Sequence, residues 1–376
     1  MHLLIPFANC NAAGCQQALA TLKLPNLDRL LRQLPLAHSD TADEFTLSPP
    51  HERALAAAYG ISVPNVTPDG QTPWGAWHAM QAGYPHSPVS NGMSGTADAP
   101  AQPQRTSEPA VDAWAVITPC HWTVQTSHIT MTHPRALNLG NEESRALLAA
   151  MQPFFAGDGI ALMYDTPTRW LARGAVFAGL ATASHYRAIA GHVDDWLPKT
   201  ASAKLLRRLQ NEMQMLLYTH PLTDARVAQG LPAVNSFWVS GTGALPPGLA
   251  PSSPNRSLSS PALTPFNSVG STFAGSAGAP VTVPNALRDA ATLGDWSAWA
   301  QAWRQIDSTE CVALLQAGQL KSDANAPDKN RARLTLCGER SAQTFLSPQN
   351  GPLNRVLQIF RGHFRNIPTS YIVSLL

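Results

Sequence analysis

The clearest hydrophobic pattern in the chain lies at Lys204–Tyr218, KLLRRLQNEMQMLLY. Leu205, Leu206, Leu209, Met213, Leu216 and Leu217 form one broad apolar stripe there, with Arg207, Arg208 and Glu212 largely opposite. This spacing predicts a core-facing amphipathic helix. Leu24, Leu27, Leu30, Leu31 and Leu34 recur at helical spacing within 22–36, and Pro25 sits where a missing amide proton does no harm, so a helix follows a strand at residues 3–8. A second helix is predicted from about His51 to Tyr59, ending at Gly60 as a C-cap. Trp114, Val116, Trp122 and Val124 read as a strand pattern, followed by a helix at 141–151 and a strand at 159–164. Short apolar strands at 237–239, 281–283 and 334–336 frame a Trp-rich helix at 296–306. Strands alternating with helices predict an α/β fold with a mainly parallel sheet covered by helices on both faces, whose ligands gather at the carboxyl ends of the strands. The loops after Ala8, Val239, Val283 and Leu336 are therefore the ones to inspect.

Two stretches break the pattern. Residues 87–110 and 246–279 are dense in Pro, Ser, Gly and Ala and lack apolar periodicity, so they are expected as a linker and a low-complexity excursion. The expected organisation is a core domain begun by 1–86 and completed by 231–376, with an α+β lobe inserted at 111–230.

Composition narrows the function classes. Of 376 residues 44% are hydrophobic, enough for a sizeable core, and the net charge of +2 supplies no broad field for nucleic acid or anionic lipid. No apolar run reaches the length of a membrane span. The apolar amino terminus lacks a positive n-region, and the five cysteines (Cys10, Cys15, Cys120, Cys311, Cys337) make no disulfide framework, so a reducing cytoplasm is expected. Cys10 and Cys15 stand close in sequence without a second pair at zinc spacing and read as ordinary buried thiols. The cluster Cys120, His121, His128, His133 likewise matches no common zinc pattern.

Several segments carry a family likeness. Pro25-Asn26-Leu27-Asp28 resembles an early P-N-L-D, and Gly70-Gln71-Thr72-Pro73-Trp74-Gly75-Ala76 is similar to G-R-G-P-L-E-A. Cys120-His121 stands in the place of R-C-N, Thr168-Arg169-Trp170 in that of Y-R-H, and 220–226, HPLTDAR, resembles H-P-x-N-x-x-R. Residues 235–246, NSFWVSGTGALP, follow N-x-I-W-x-W-G-x-G-x-x-P with Asn235, Trp238, Gly241, Gly243 and Pro246 in register. Together these resemble the archaeal-type cofactor-independent phosphoglycerate mutases of the alkaline phosphatase superfamily. As a whole sequence the chain is also similar to a bacterial group of regulatory proteins of the pathogenicity-factor E type, through DTADEFTLSPPHERALA, NEMQMLLYTHP and LTLCGER.

That resemblance implies an alkaline-phosphatase-like core and a pair of metal ions held by Asp and His around a Ser or Thr nucleophile. Such chemistry needs hard oxygen and imidazole ligands against the charge of a phosphoryl transition state. The residues depart from it. The amino-terminal strand reads LLIPFA where the family has a ligand Asp, and residues 1–25 hold no Asp or Glu at all. His51 falls in the nucleophile slot, with Ser48 the nearest hydroxyl. Asp289 keeps one ligand position, while Pro284 and Leu293 stand for two histidines, and Cys337-Gly338-Glu339-Arg340 replaces an Asp-His pair. No metal or cofactor is expected.

The residues leave alternatives open. His51 is either a phosphate-accepting imidazole or a helix-start histidine bonded locally. Cys337 is either a thiolate beside Arg340 or a buried strand-end cysteine. Arg169 grips a phosphate or carboxylate, or makes an ion pair. Asn235, Gly241 and Gly243 form an anion-binding loop, or a plain turn. The leading expectation is a mutase-derived, non-catalytic protein with a regulatory or small-anion-binding role, using Arg169, Asn235, Gly241, Gly243 and Arg340. The rival is a mutase-like isomerase or phosphohydrolase rebuilt around His51 and Asp289, with Glu339 and Arg340. A purely structural protein partner is a third reading; nucleic acid and membrane are not expected partners.

Overall fold

A computed structural model describes residues 1–62, 66–84, 112–246, 249, 271–274, 280–320 and 331–348. The chain divides into two compact units, Met1–Pro64 with Ser252–Leu376, and Asn65–Pro251. The predicted linker at 87–110 lies outside the described residues, as does most of 246–279.

The first unit is built on a six-stranded sheet in the order Leu36–Thr41, Ser341–Leu346, Arg333–Cys337, His2–Ile5, Pro280–Val283, Ser271–Ala274. The three central strands run parallel and the flanking ones antiparallel. The α/β class is as expected. Alternation along the central strands sends Leu3, Ile5, Leu334 and Leu336 to one face, into a core with Leu27, Leu30 and Leu31 of Pro25–Gln33, Trp299 and Trp303 of Trp296–Ser308, and Cys311 and Leu314 of Glu310–Leu320. The helices Ala13–Thr21 and Ala286–Leu293 close the same core. Helix Pro50–Tyr59 packs on the strands from the other face, burying Leu55, Ala56 and Tyr59, and ends at Gly60 in the left-handed region (φ 72°), as its sequence requires.

The helix expected over 22–36 is confined to Pro25–Gln33, because Leu22 caps the preceding helix and a strand begins at Leu36. Its amino terminus is held from afar: the buried Asp307 carboxylate accepts from the amide of Leu27 (2.7 Å) and from the amide and side chain of Asn26 (3.3 and 3.2 Å). The P-N-L-D segment is thus a helix start capped by a partner 280 residues away. Ser271–Ala274, inside the stretch expected to pack nothing, pairs antiparallel with Pro280–Val283.

The second unit carries an antiparallel sheet, Ala161–Thr166, Arg169–Arg173, Trp114–Cys120, Ser236–Gly243, and a small hairpin of Trp122–Val124 with Ile129–Met131. Asn141–Gly157 and Lys204–Tyr218 cover one sheet face through Leu147, Met151, Leu206, Leu209 and Met213. Trp74–Gln81 covers the other through Ala76 and Ala79. The predicted lobe therefore has the expected α+β character with wider bounds. Trp74–Gln81 and Ser236–Gly243, assigned from sequence to the core domain, belong to this unit, because Ser236–Gly243 pairs along Trp114–Cys120.

Gly75 explains the close seat of its helix: a Cβ there would lie 2.5 Å from the Ala115 carbonyl carbon and 2.6 Å from the Ala115 Cα. Backbone cannot yield as a side-chain tip can. Gly75→Ala is expected to lower stability by about 1–3 kcal/mol through overpacking, read as a drop in the urea midpoint. An unchanged midpoint would mean that helix and strand separate without loss.

Candidate functional site

In the first unit the parallel strands all end on one side, so the segments after them share an edge: Phe7 to Cys10, Asn285, and Gly338 to Arg340. This is where an α/β sheet receives ligands. The chain leaves His2–Ile5 through Phe7, a non-glycine residue in the left-handed region (φ 53°). Such backbone persists only where its surroundings enforce it. The enforcing groups are two indoles on one helix face, Trp299 Nε1 donating to the Phe7 carbonyl (3.0 Å) and Trp303 Nε1 to that of Ala8 (3.3 Å). The Ala8 amide in turn donates to the Cys337 carbonyl at 2.7 Å.

His51, second residue of Pro50–Tyr59, is buried, with its ring centroid 5.3 Å from that of Phe7. Nearby, Arg53 donates to Asp40 (2.9 Å) and to the Ser48 carbonyl (2.5 Å). Asp289, in the first turn of Ala286–Leu293, pairs with the buried Arg288 at 3.1 Å. Glu339 accepts from Asn11 Nδ2 at 2.7 Å. Arg340 pairs with Glu44 at 3.0 Å, both about half exposed, a solvated contact of little energetic weight. The Cys337 thiol is pushed up by burial, and the neighbouring Arg53 offsets that only in part, so of its two readings the structure favours the buried strand-end cysteine over the thiolate beside Arg340.

The structure thus gathers His51, Asp289, Glu339 and Arg340 at one strand edge but gives each a separate partner. Among the described residues no group of three or more His, Cys, Asp or Glu side chains is placed to hold a metal ion. An imidazole, the Asp289 carboxylate ion-paired to Arg288 and the Glu339 carboxylate bonded to Asn11 do not fit a dinuclear phosphoryl-transfer centre.

The other candidates lie in the second unit. Arg169 pairs with Asp165 at 2.5 Å across its hairpin, both largely buried, so its guanidinium is engaged as an ion pair. Burial, and next the charge of Arg169, hold the partly buried His78 imidazole well below its ordinary value. Asn235 brackets Trp122, accepting from its amide (2.7 Å) and donating to its carbonyl (2.9 Å), which pins the small hairpin. The segment read as an anion loop or turn, 235–243, is corrected to strand Ser236–Gly243. Its pairing shifts between Trp114 and Val116, a bulge that gives Gly241 φ 62° and Gly243 φ 129°. A Cβ on Gly241 would also fall 2.7 Å from Trp74 Cβ. Both glycines serve the sheet and its helix.

The cysteine–histidine cluster is likewise dispersed. Burial raises the Cys120 thiol, His121 Nδ1 contacts the Ala233 carbonyl (2.7 Å), His133 Nδ1 accepts from the Arg135 amide (3.1 Å), and His128 stacks on His192 with centroids 4.1 Å apart. Sequence reasoning missed Asp307, whose partner Leu27 lies 280 residues away, and Asn9 and Arg288, which bond near neighbours in the chain. The one available signal was the four-residue spacing of Trp299 and Trp303, which puts both indoles on one helix face.

No family model matches the chain, and no curated protein matches it. Similar solved structures include a cofactor-independent phosphoglycerate mutase from Thermoplasma acidophilum DSM 1728, 14% identical, with 100% of this chain and 98% of that one covered at a TM-score of 0.34. Another is the PH0037 protein from Pyrococcus horikoshii, 13% identical over 92% of this chain and 87% of that one, at a TM-score of 0.40. No helix among the described residues is long and apolar enough to cross a membrane.

Proposed function

We propose that the chain is a divergent, phosphoglycerate-mutase-like protein that does not catalyse metal-dependent phosphoryl transfer and acts instead by binding a small phosphorylated or carboxylate acid in a regulatory role. What supports the reading is the composition of the strand edge. The backbone strained at Phe7 is retained there, as are buried polar side chains at Asn9, Ser48, His51, Asn285 and Arg288. The sole carboxylate on the first turn of the adjoining helix is Asp289, already ion-paired to Arg288. A buried imidazole and guanidinium suit an anion more than a divalent cation. The regulatory role rests on the resemblance to the pathogenicity-factor E type, and the half-exposed cation Arg340 would need to leave Glu44 to take part.

Metal analysis of the purified full chain, with a phosphoglycerate mutase assay and a thermal-shift series against 2- and 3-phosphoglycerate, tests this. The expected result is no stoichiometric metal, no turnover, and a melting temperature that rises with ligand concentration as mass action requires. Stoichiometric manganese or zinc with turnover would sink the proposal. Turnover in metal-free protein, abolished by His51→Ala, would replace it with the rebuilt enzyme.

A further inference from the structure

Beyond the strand-edge reading, and independent of it, the turn that leaves the first strand holds two thiols together. Cys10 and Cys15 are both buried, with 4% and 0% exposure, in the core of the first unit. One side chain organises the turn between them: Asn9 Oδ1 accepts from the Cys10 amide (2.9 Å) and from Gln16 Nε2 (2.9 Å), with Cys15 Sγ 3.9 Å away. Gln16 Nε2 also donates to the Cys10 carbonyl at 2.6 Å, so residues 9 and 16 lock the loop from both ends. Gly14 fixes its seat against the core, since a Cβ there would lie 2.2 Å from Trp296 Cδ1.

We propose that Cys10 and Cys15 form a dithiol redox site, oxidised to an intramolecular disulfide by low-molecular-weight disulfides. Cys15 is the attacking sulfur. It stands third in helix Ala13–Thr21, where the unpaired amides of the first turn favour a thiolate. Interaction between the two thiols favours ionisation of Cys15 and disfavours that of Cys10, while burial, and then Glu339, opposes ionisation of both. The Cys15 thiolate attacks one sulfur of the disulfide, whose S–S bond breaks and releases one thiolate that takes up a proton. The Cys10 thiol then loses its proton and displaces the second thiolate from Cys15, so that one small disulfide is reduced to two thiols as the protein dithiol is oxidised. Asn11, Ala12 and Ala13, in the turn between the two cysteines, are exposed, and the reaction requires this turn to open. Asn11 also carries the bond to Glu339, so oxidation bears on the strand edge directly.

The experiment uses the folded full chain and oxidised glutathione, followed by denaturation, alkylation and tryptic mass mapping. No Lys or Arg precedes Lys23, so both thiols fall on peptide 1–23. That peptide is expected two hydrogens lighter and free of alkyl groups, reversed by dithiothreitol, while Cys120, Cys311 and Cys337 remain alkylated. In Cys10→Ser a glutathione adduct should be trapped on Cys15, and in Cys15→Ser the reaction at Cys10 should slow by about tenfold or more. A doubly alkylated 1–23 peptide from the folded wild type, separate adducts on the two thiols, or oxidation only in urea would each overturn the assignment, whether or not either variant folds.

Discussion

Arg226→Ala is expected to destabilise the protein by about 2–4 kcal/mol, mainly by stripping backbone carbonyls of a charged donor, since its ion-pair partner Glu143 is itself partly exposed. Arg226 is 1% exposed and serves three acceptors: Nε donates to the Pro232 carbonyl (2.9 Å), Nη1 to Glu143 (3.0 Å) and Nη2 to the Leu137 carbonyl. Alanine would leave the buried Leu137 carbonyl and the part-buried Pro232 carbonyl without this donor. It would also loosen Glu143, whose Oε2 accepts from the Gly140 amide at the start of Asn141–Gly157. One side chain therefore joins the helix Pro221–Ala228, the loop that follows it and the amino end of the longest helix in the unit. Arg226→Lys keeps the charge but lacks the planar fork, and should recover only part of the loss. Urea unfolding of the three proteins measures both effects; a loss under about 1 kcal/mol in Arg226→Ala would show that water replaces the guanidinium at little cost.

The second large effect is in acid. His2 lies inside the central strand of the first unit, 6% exposed, with Nε2 at 2.9 Å from Thr335 Oγ1, and Thr335 continues to Thr344 at 3.0 Å. Burial, then the charge of Arg333, lowers its pKa from 6.5 to about 3. The folded value lies below the unfolded one, so the unfolded chain takes up a proton that the folded chain refuses. The resulting stability is complete above pH 6.5 and is lost as pH falls towards 3, at up to about 1.4 kcal/mol per pH unit. Carboxylates titrate over part of that range, so the expected result is a difference. His2→Gln removes the proton site, and the gap in unfolding free energy between wild type and variant should change by several kcal/mol between pH 7 and pH 4. A gap that stays constant with pH would contradict it.

How much of this was legible beforehand varied with the range of the forces involved. Lys204–Tyr218 matches its predicted bounds because a continuous apolar stripe without Pro or Gly specifies both period and length. Gly60 terminates its helix because only a left-handed residue closes that turn cheaply. Leu36–Thr41, LAHSDT, carried no strand signal: an edge strand exposed on most of its residues needs no alternation, and it exists because Ser341–Leu346 offers its backbone. Ala13–Thr21 shows no stripe either, burying only Cys15 and Leu19. The candidate residues fared by the same rule. The resemblance pointed to 220–226 and 235–246, and both segments are structurally important, yet Arg226 clamps carbonyls, Asn235 pins a hairpin and Gly241 admits a helix.

What the sequence determined alone was a matter of residue identity and local period: the α/β class, the principal helices, and the absence of any Asp or Glu in residues 1–25, which holds in every register. The tertiary structure alone decided partnership. Asp307 caps a helix 280 residues upstream, and Trp299 and Trp303 hold the strained turn at Phe7. Hydrogen bonds act over about 3 Å whatever the separation along the chain. Which donor meets which acceptor is therefore fixed only once strand pairing and core packing have brought remote segments into reach.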